Sequence, residues 1–131
     1  MGSYLNPGSA AFCNSLRSKI YVDKSALIAR INELICTEQR FVCVSRPRRF
    51  GKSMAANMLA AYYEREEDAS GLFDHLQIHE YESYREHINN YNVIKINMQE
   101  FLSVTNSVDE MLVRLRKYVL FDLLDAYPDL R

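Results

Sequence analysis

Apolar residues recur along this chain at two spacings, and the change from one to the other outlines the elements. Ala26, Leu27, Ile28, Ile31, Leu34 and Ile35 fall on one stripe at helical spacing. Asp23 is placed to cap that helix, which fades at Thr37-Glu38-Gln39. Phe41-Val42-Cys43-Val44 is a short continuous apolar run. It predicts a strand covered on both faces, as in a parallel sheet. After a basic loop, Lys52 to about Glu66 predicts a second helix, with Met54, Met58, Leu59, Tyr62 and Tyr63 on its apolar stripe. The acidic run Glu64 to Asp68 has the wrong sign for a helix C-terminus and predicts fraying there. Gly71-Leu72-Phe73 begins a connector, Glu82 to Asn90 a short exposed helix, and Val93 to Met98 a second strand. Val108 to Ala126 predicts a long amphipathic helix capped by Asn106 or Ser107.

Helix, strand, loop, helix, connector, strand, helix is the grammar of βαβ units, so the expected fold class is α/β with a parallel sheet. Only two strands can be counted, and the sheet therefore reads as incomplete. Residues 1–19, with the turn-forming Asn6-Pro7-Gly8-Ser9, read as an N-terminal arm, and residues 20–131 as the front part of the domain.

The chain has 131 residues, 48% hydrophobic and 25% charged, a composition that supports a packed core. Lys and Arg number 16 against 17 Asp and Glu, so overall charge argues for neither nucleic acid nor membrane as partner, and anion binding must come from a local cluster. Cys13, Cys36 and Cys43 are odd in number and form no Cys-x-x-Cys pair, which points to a reduced compartment. The N-terminus has no signal-peptide pattern, and no apolar run approaches the roughly 20 residues of a membrane span. The expected location is cytoplasmic.

The local cluster is Ser45-Arg46-Pro47-Arg48-Arg49-Phe50-Gly51-Lys52-Ser53, lying between a predicted strand and a predicted helix. Its second half is the Gly-Lys-Ser of a phosphate loop (Walker A), while Arg46 stands where the first glycine belongs. Backbone amides from Arg48 to Ser53 can curl around phosphate oxygens, and the helix N-terminus adds partial positive charge. Gly51 allows close backbone approach, Lys52 reaches the β- and γ-phosphates, and the Ser53 hydroxyl offers Mg²⁺ a hard oxygen ligand. The expected ligands are ATP and Mg²⁺, held by Arg48, Arg49, Phe50, Gly51, Lys52, Ser53 and Met54. The bland alternative is an accidental Gly-Lys-Ser on a basic turn, with the arginines merely solvated.

Tyr4-Leu5-Asn6-Pro7-Gly8, Tyr21-Val22-Asp23-Lys24-Ser25 and the Ser45–Ser53 loop together resemble the predicted AAA-ATPase-like family of bacterial proteins. That family's phosphate loop also lacks the first glycine, which accounts for Arg46. The resemblance implies the N-terminal part of a P-loop NTPase of the additional-strand type. There the segment before the loop lines the adenine site, which would bring Tyr21, Val22 and Asp23 near the base. The other reading makes Tyr21 and Val22 core and Asp23 a cap. The resemblance also implies longer relatives, with a Walker B strand and often a nuclease-like domain.

A Walker B acid is not legible. In Val93–Glu100, Lys95 interrupts the run and Asn97 and Gln99 stand where acids are needed, leaving Glu100. The reading is therefore ATP binding without hydrolytic competence in this chain alone. A second class of function is a non-enzymatic interaction module derived from a truncated P-loop domain, with a partner or a second copy completing the sheet. His75 and His79 lack a third ligand for a metal site.

Overall fold

The computed structural model describes residues 4–45 and 51–130, which divide into two compact units, Gly8–Tyr91 and Met1–Pro7 with Asn92–Arg131. The Gly8–Tyr91 unit contains α1 (Ala10–Leu16), α2 (Ala26–Asn32), α3 (Lys52–Tyr63), α4 (Ser70–Phe73), a 3₁₀ turn (Gln77–Glu80) and α5 (Tyr84–His87). Its core is aromatic. Phe12 of α1 stacks on Phe73 with ring centroids 5.0 Å apart, and Tyr62 of α3 meets Phe73 edge-on at 5.6 Å. Ile28, Met58, Ala61 and Ile78 fill the space around them. Residues 10–16 of the expected arm are thus a helix, and Phe12 is part of the core. The apolar stripe of α1 is too short for periodicity to reveal it.

α3 shows how long-range pairing replaces local capping. An α-helix leaves its last carbonyls without intrahelical partners. Here the amides of Asn89 and Tyr91 donate to the carbonyls of Tyr62 and Tyr63, at 2.7 and 2.8 Å. The Asn89 side chain donates to the carbonyls of Ala61 (3.3 Å) and Glu64 (2.7 Å) and accepts from the amide of Ala69 (3.2 Å). Asn89 has φ +53, a left-handed conformation that asparagine tolerates better than most residues. The helix stops at Tyr63 because Glu64 turns extended to join this clamp.

Polar groups in this core are networked. The Tyr62 hydroxyl donates to the Tyr84 carbonyl at 2.6 Å and accepts from the Asn32 amide at 3.1 Å, and the Tyr63 hydroxyl donates to the Asn32 side-chain oxygen. Burial pushes the Tyr62 phenol up to about 12, so it stays a donor at physiological pH.

The other unit holds α6 (Met98–Leu102) and α7 (Val108–Ala126). α7 has the expected bounds, with the Ser107 hydroxyl accepting from the Glu110 amide and the Glu110 carboxylate accepting from the Asn106 amide. Asp122 accepts from the amides of Tyr4 and Leu5, tying the start of the chain to α7. Asn6, at φ +48, accepts from the Val93 amide through its side chain while its own amide donates to the Val93 carbonyl.

The expected parallel-sheet α/β fold is corrected by this structure. Among the described residues there is no strand, and β-pairing is limited to two isolated bridges, Leu5 with Ile94 and Glu64 with Tyr91. Phe41–Val44 is irregular, with Phe41 83% exposed. Val93–Met98 makes its one bridge at Ile94, and Met98 already begins α6. An apolar run is a strand only where a neighbouring chain segment pairs with its amides and carbonyls. These two runs lie in different units, and the described segments between them in sequence are helical or irregular apart from the bridge of Glu64 with Tyr91.

Candidate functional site

The α3 N-terminus is shaped by Gly51, whose φ of +80 and ψ of 22 lie in the left-handed region. Glycine enters that region without the steric cost that a Cβ brings. Space makes a second demand. A Cβ on Gly51 would stand 2.8 Å from Lys24 Nζ, so the missing side chain is what allows this ammonium to approach the start of the helix. Gly51 has no side chain with which to cap α3, and the first turn contains no acidic residue. The positive end of the helix dipole therefore lies close to the Lys24 ammonium, and Lys52 is the first residue of the helix. Lys52, Ser53 and Met54 form the exposed first turn of α3.

Next to this point is a cavity of about 310 Å³, lined by Ile20, Tyr21, Val22 and Lys24 on one side and Gly51, Met54, Ala55 and Met58 on the other. Small-molecule sites span roughly 300–1,000 Å³, so this one is at the small end. Its wall is apolar apart from Lys24 and the Tyr21 phenol. Burial, and next the nearby Asp23 carboxylate, raise the Tyr21 phenol above its ordinary value and keep it protonated. Phe12 supports Tyr21 from behind, edge to ring at 6.4 Å.

Asp23 is not among the lining residues. Its carboxylate accepts from the amides of Ser25 and Gln77, both at 2.8 Å, and the buried Ser25 hydroxyl accepts from the Ile78 amide at 3.0 Å. Two neighbouring amides of the 3₁₀ turn are thus held by two side chains of the segment leading into α2. Partial burial works against ionisation of Asp23, but the hydrogen bonds from Ser25 and Gln77 outweigh it and hold the carboxyl below its ordinary value. Asp23 thus braces the segment leading into α2 against the 3₁₀ turn, while Val22 is exposed.

The structure therefore brings Tyr21, Gly51 and Met54 to one cavity, with Lys52 and Ser53 on the helix turn beside it. Arg48, Arg49 and Phe50, like Arg46 and Pro47, lie outside the described residues. Ile20, Lys24 and Ala55 are lining residues that sequence reasoning did not single out. For Lys24, its place in the Tyr21–Ser25 motif was the available signal. Of the weak acid-bearing candidates, Asn97 caps α6 by accepting from the Gln99 amide, and Glu100 is exposed in the first turn of that helix. Among the described residues no group of three or more His, Cys, Asp or Glu side chains is arranged to hold a metal ion, and no helix is long and apolar enough to cross a membrane.

A family model described as Predicted AAA-ATPase matches residues 14–126. The chain belongs to this AAA-ATPase-like family. Membership suggests a nucleotide-binding domain, and the match spans α2, the Gly51 turn, α3 and all of α7. No curated protein and no solved structure matches the chain.

Proposed function

We propose that the chain binds ATP with Mg²⁺ through a variant Walker A loop ending at Gly51-Lys52-Ser53. The observation that carries this reading is the shared cavity. Two segments about thirty residues apart in sequence, Ile20–Lys24 and Gly51–Met58, line it together, and its lining includes the left-handed glycine that starts a helix.

The residues present suit the ligand chemically. A helix start with glycine at its N-cap and no acid in its first turn attracts a polyanion. Lys52 meets the β- and γ-phosphates, and the exposed Ser53 hydroxyl is a hard oxygen donor for Mg²⁺. The base enters the apolar part, against Tyr21, Val22 and Met54, where Tyr21 offers a ring face and a protonated hydroxyl. Arg48, Arg49 and Phe50 belong to the loop in this reading. Asp23 contributes by holding the pocket wall rather than by touching the base. The proposal is confined to binding, because hydrolysis also needs an acid for the metal and a group to orient water.

Thermal melting with and without Mg-ATP tests it. A ligand at one hundred times its Kd stabilises by about 2.7 kcal/mol, a shift of several degrees in a chain of this size. The parent chain is expected to shift and Lys52→Ala to lose most of that shift. No shift at millimolar nucleotide, with or without Mg²⁺, counts against the reading.

A groove of about 660 Å³ along α7, lined by Tyr4, Lys117, Tyr118, Leu120, Phe121, Asp122 and Leu124, favours a second reading. Tyr118, Leu120 and Phe121 are exposed there, and exposed apolar patches mark interaction surfaces. In that reading the chain is a non-enzymatic interaction module. An oligomer on size-exclusion chromatography whose melting ignores nucleotide supports this alternative.

A further inference from the structure

We propose that the outward face of α7 pairs with the same face of a second copy of this chain, the two helices lying antiparallel about a two-fold axis near Val119. The inference does not depend on nucleotide binding; it names what occupies the groove along α7.

α7 is apolar on two sides. Met111 is buried, and Tyr118 lies against the buried Phe101 with ring centroids 6.3 Å apart. On the outward side Val113, Leu120 and Phe121 are 66%, 50% and 68% exposed, and Leu124 joins Leu120 and Phe121 in the lining of the groove. A surface helix needs one apolar stripe to hold it to its own core, so the second stripe calls for a cover.

The charges beside this stripe suit a second copy. Positions eleven apart complete about three helical turns and return to within roughly 20° of one another. Val113 and Leu124 are such a pair, and so are Arg114 and Asp125. Lys117, Leu120 and Phe121 lie between them on the same side of α7. In an antiparallel pair each flank of one helix faces the same flank of the other. Arg114 then comes opposite Asp125 of the second copy, and Asp125 opposite its Arg114. Val113 meets Leu124 in the same way, and the Lys117 ammonium meets the Phe121 ring. An isologous contact makes every pairing twice, so it requires this kind of self-complementarity. Had the residues at 114 and 125 carried one sign, the same approach would be repelled at both ends. Arg114 and Asp125 stand about 16 Å apart along the axis, so the two ion pairs bracket the apolar stripe. Among the described residues Lys117 and Asp125 are in no ion pair, and Arg114 meets Glu110 of its own helix at 3.9 Å.

Sedimentation equilibrium of the full chain over a concentration series tests the pairing. The parent is expected to dimerise reversibly, and Phe121→Ser to raise the dimer Kd about a hundredfold. Arg114→Asp and Asp125→Arg should each raise it about tenfold, because two pairs pass from attraction to repulsion, while the chain carrying both changes should return to within about threefold of the parent. An equimolar mixture of the two single variants should also dimerise, since each supplies the sign the other lacks. Recovery in the double variant and in the mixture excludes misfolding as the cause of the single losses. A parent that stays monomeric at millimolar concentration overturns the proposal. A dimer that tolerates Phe121→Ser and both charge reversals also overturns it, by placing the contact on another face. A monomer whose melting still shifts with Mg-ATP sinks the α7 pairing and leaves the nucleotide reading standing.

Discussion

Asn89 holds the C-terminal end of the helix whose other end forms the candidate site, and replacing it separates two contributions that the structure combines. Asn89→Ala removes the bonds to the carbonyls of Ala61 and Glu64 and from the amide of Ala69. At about 0.5–1.5 kcal/mol each, and with two of the three longer than 3.1 Å, these come to roughly 2–3 kcal/mol. Alanine must also adopt φ near +53, which adds about 1 kcal/mol. Asn89→Gly loses the same bonds without that steric strain and should be milder by about 1 kcal/mol. The expected order of stability is parent, then glycine, then alanine, with alanine about 3–4 kcal/mol below the parent. Urea denaturation followed by far-ultraviolet circular dichroism measures it. If both variants remain within about 0.5 kcal/mol of the parent, the clamp contributes little and the account of how α3 ends is wrong. If glycine is as damaging as alanine, the left-handed backbone carries no cost and only the hydrogen bonds matter.

Two further substitutions probe the same unit. Glu64 is 1% exposed, and its Oε1 is buried without a hydrogen-bond partner among the described residues, while Oε2 accepts from the Gly8 amide at 2.7 Å. Burial raises its pKa, the Gly8 hydrogen bond opposes this, and Glu67 and Glu66 raise it further, for a net increase. The group therefore favours folding most below the unfolded value of about 4.3, and that contribution is lost as pH rises through the higher folded value. Glu64→Gln should be more stable than the parent at pH 7, with the advantage vanishing below pH about 4. A difference that stays flat across that range in thermal melts would refute the raised value. Phe12→Ala should cost about 3–5 kcal/mol because it opens a void beside Phe73 and Tyr21. An unchanged melting temperature would show that α1 is a detachable arm rather than part of the core.

Legibility from sequence followed how local each interaction is. The bounds of α7 were readable because its stripe is long and Ser107 caps it three residues from its partner. The start of α3 at Lys52 was readable for a similar reason, the glycine before it. Phe41–Val44 misled because an apolar run records the wish to be covered and not whether a neighbour exists to pair with it. Asn6 and Asn89 were invisible because their side chains serve backbone groups far away in sequence or on the far side of a turn. At the site, Gly51, Met54 and Tyr21 could be named from motif and resemblance, and they line one cavity. Asp23 carried two readings, since a carboxylate that caps a backbone and one that faces a base look alike in a string of letters. Lys24 went unremarked because its significance lies in an approach to Gly51 across 27 residues.

The bracket formed by Asp23 and Ser25 makes the cavity mechanically lopsided. The wall around Tyr21 cannot swing outward alone: it must snap two hydrogen bonds or drag Gln77 and Ile78 with it. The opposite wall carries Met54 and Met58, unbranched thioethers that change shape through rotation about single bonds. A bulky guest would be accommodated by the methionines, so enlarging the entrance by mutation should begin on the helix, while stiffening the whole receptacle should begin at the bracket.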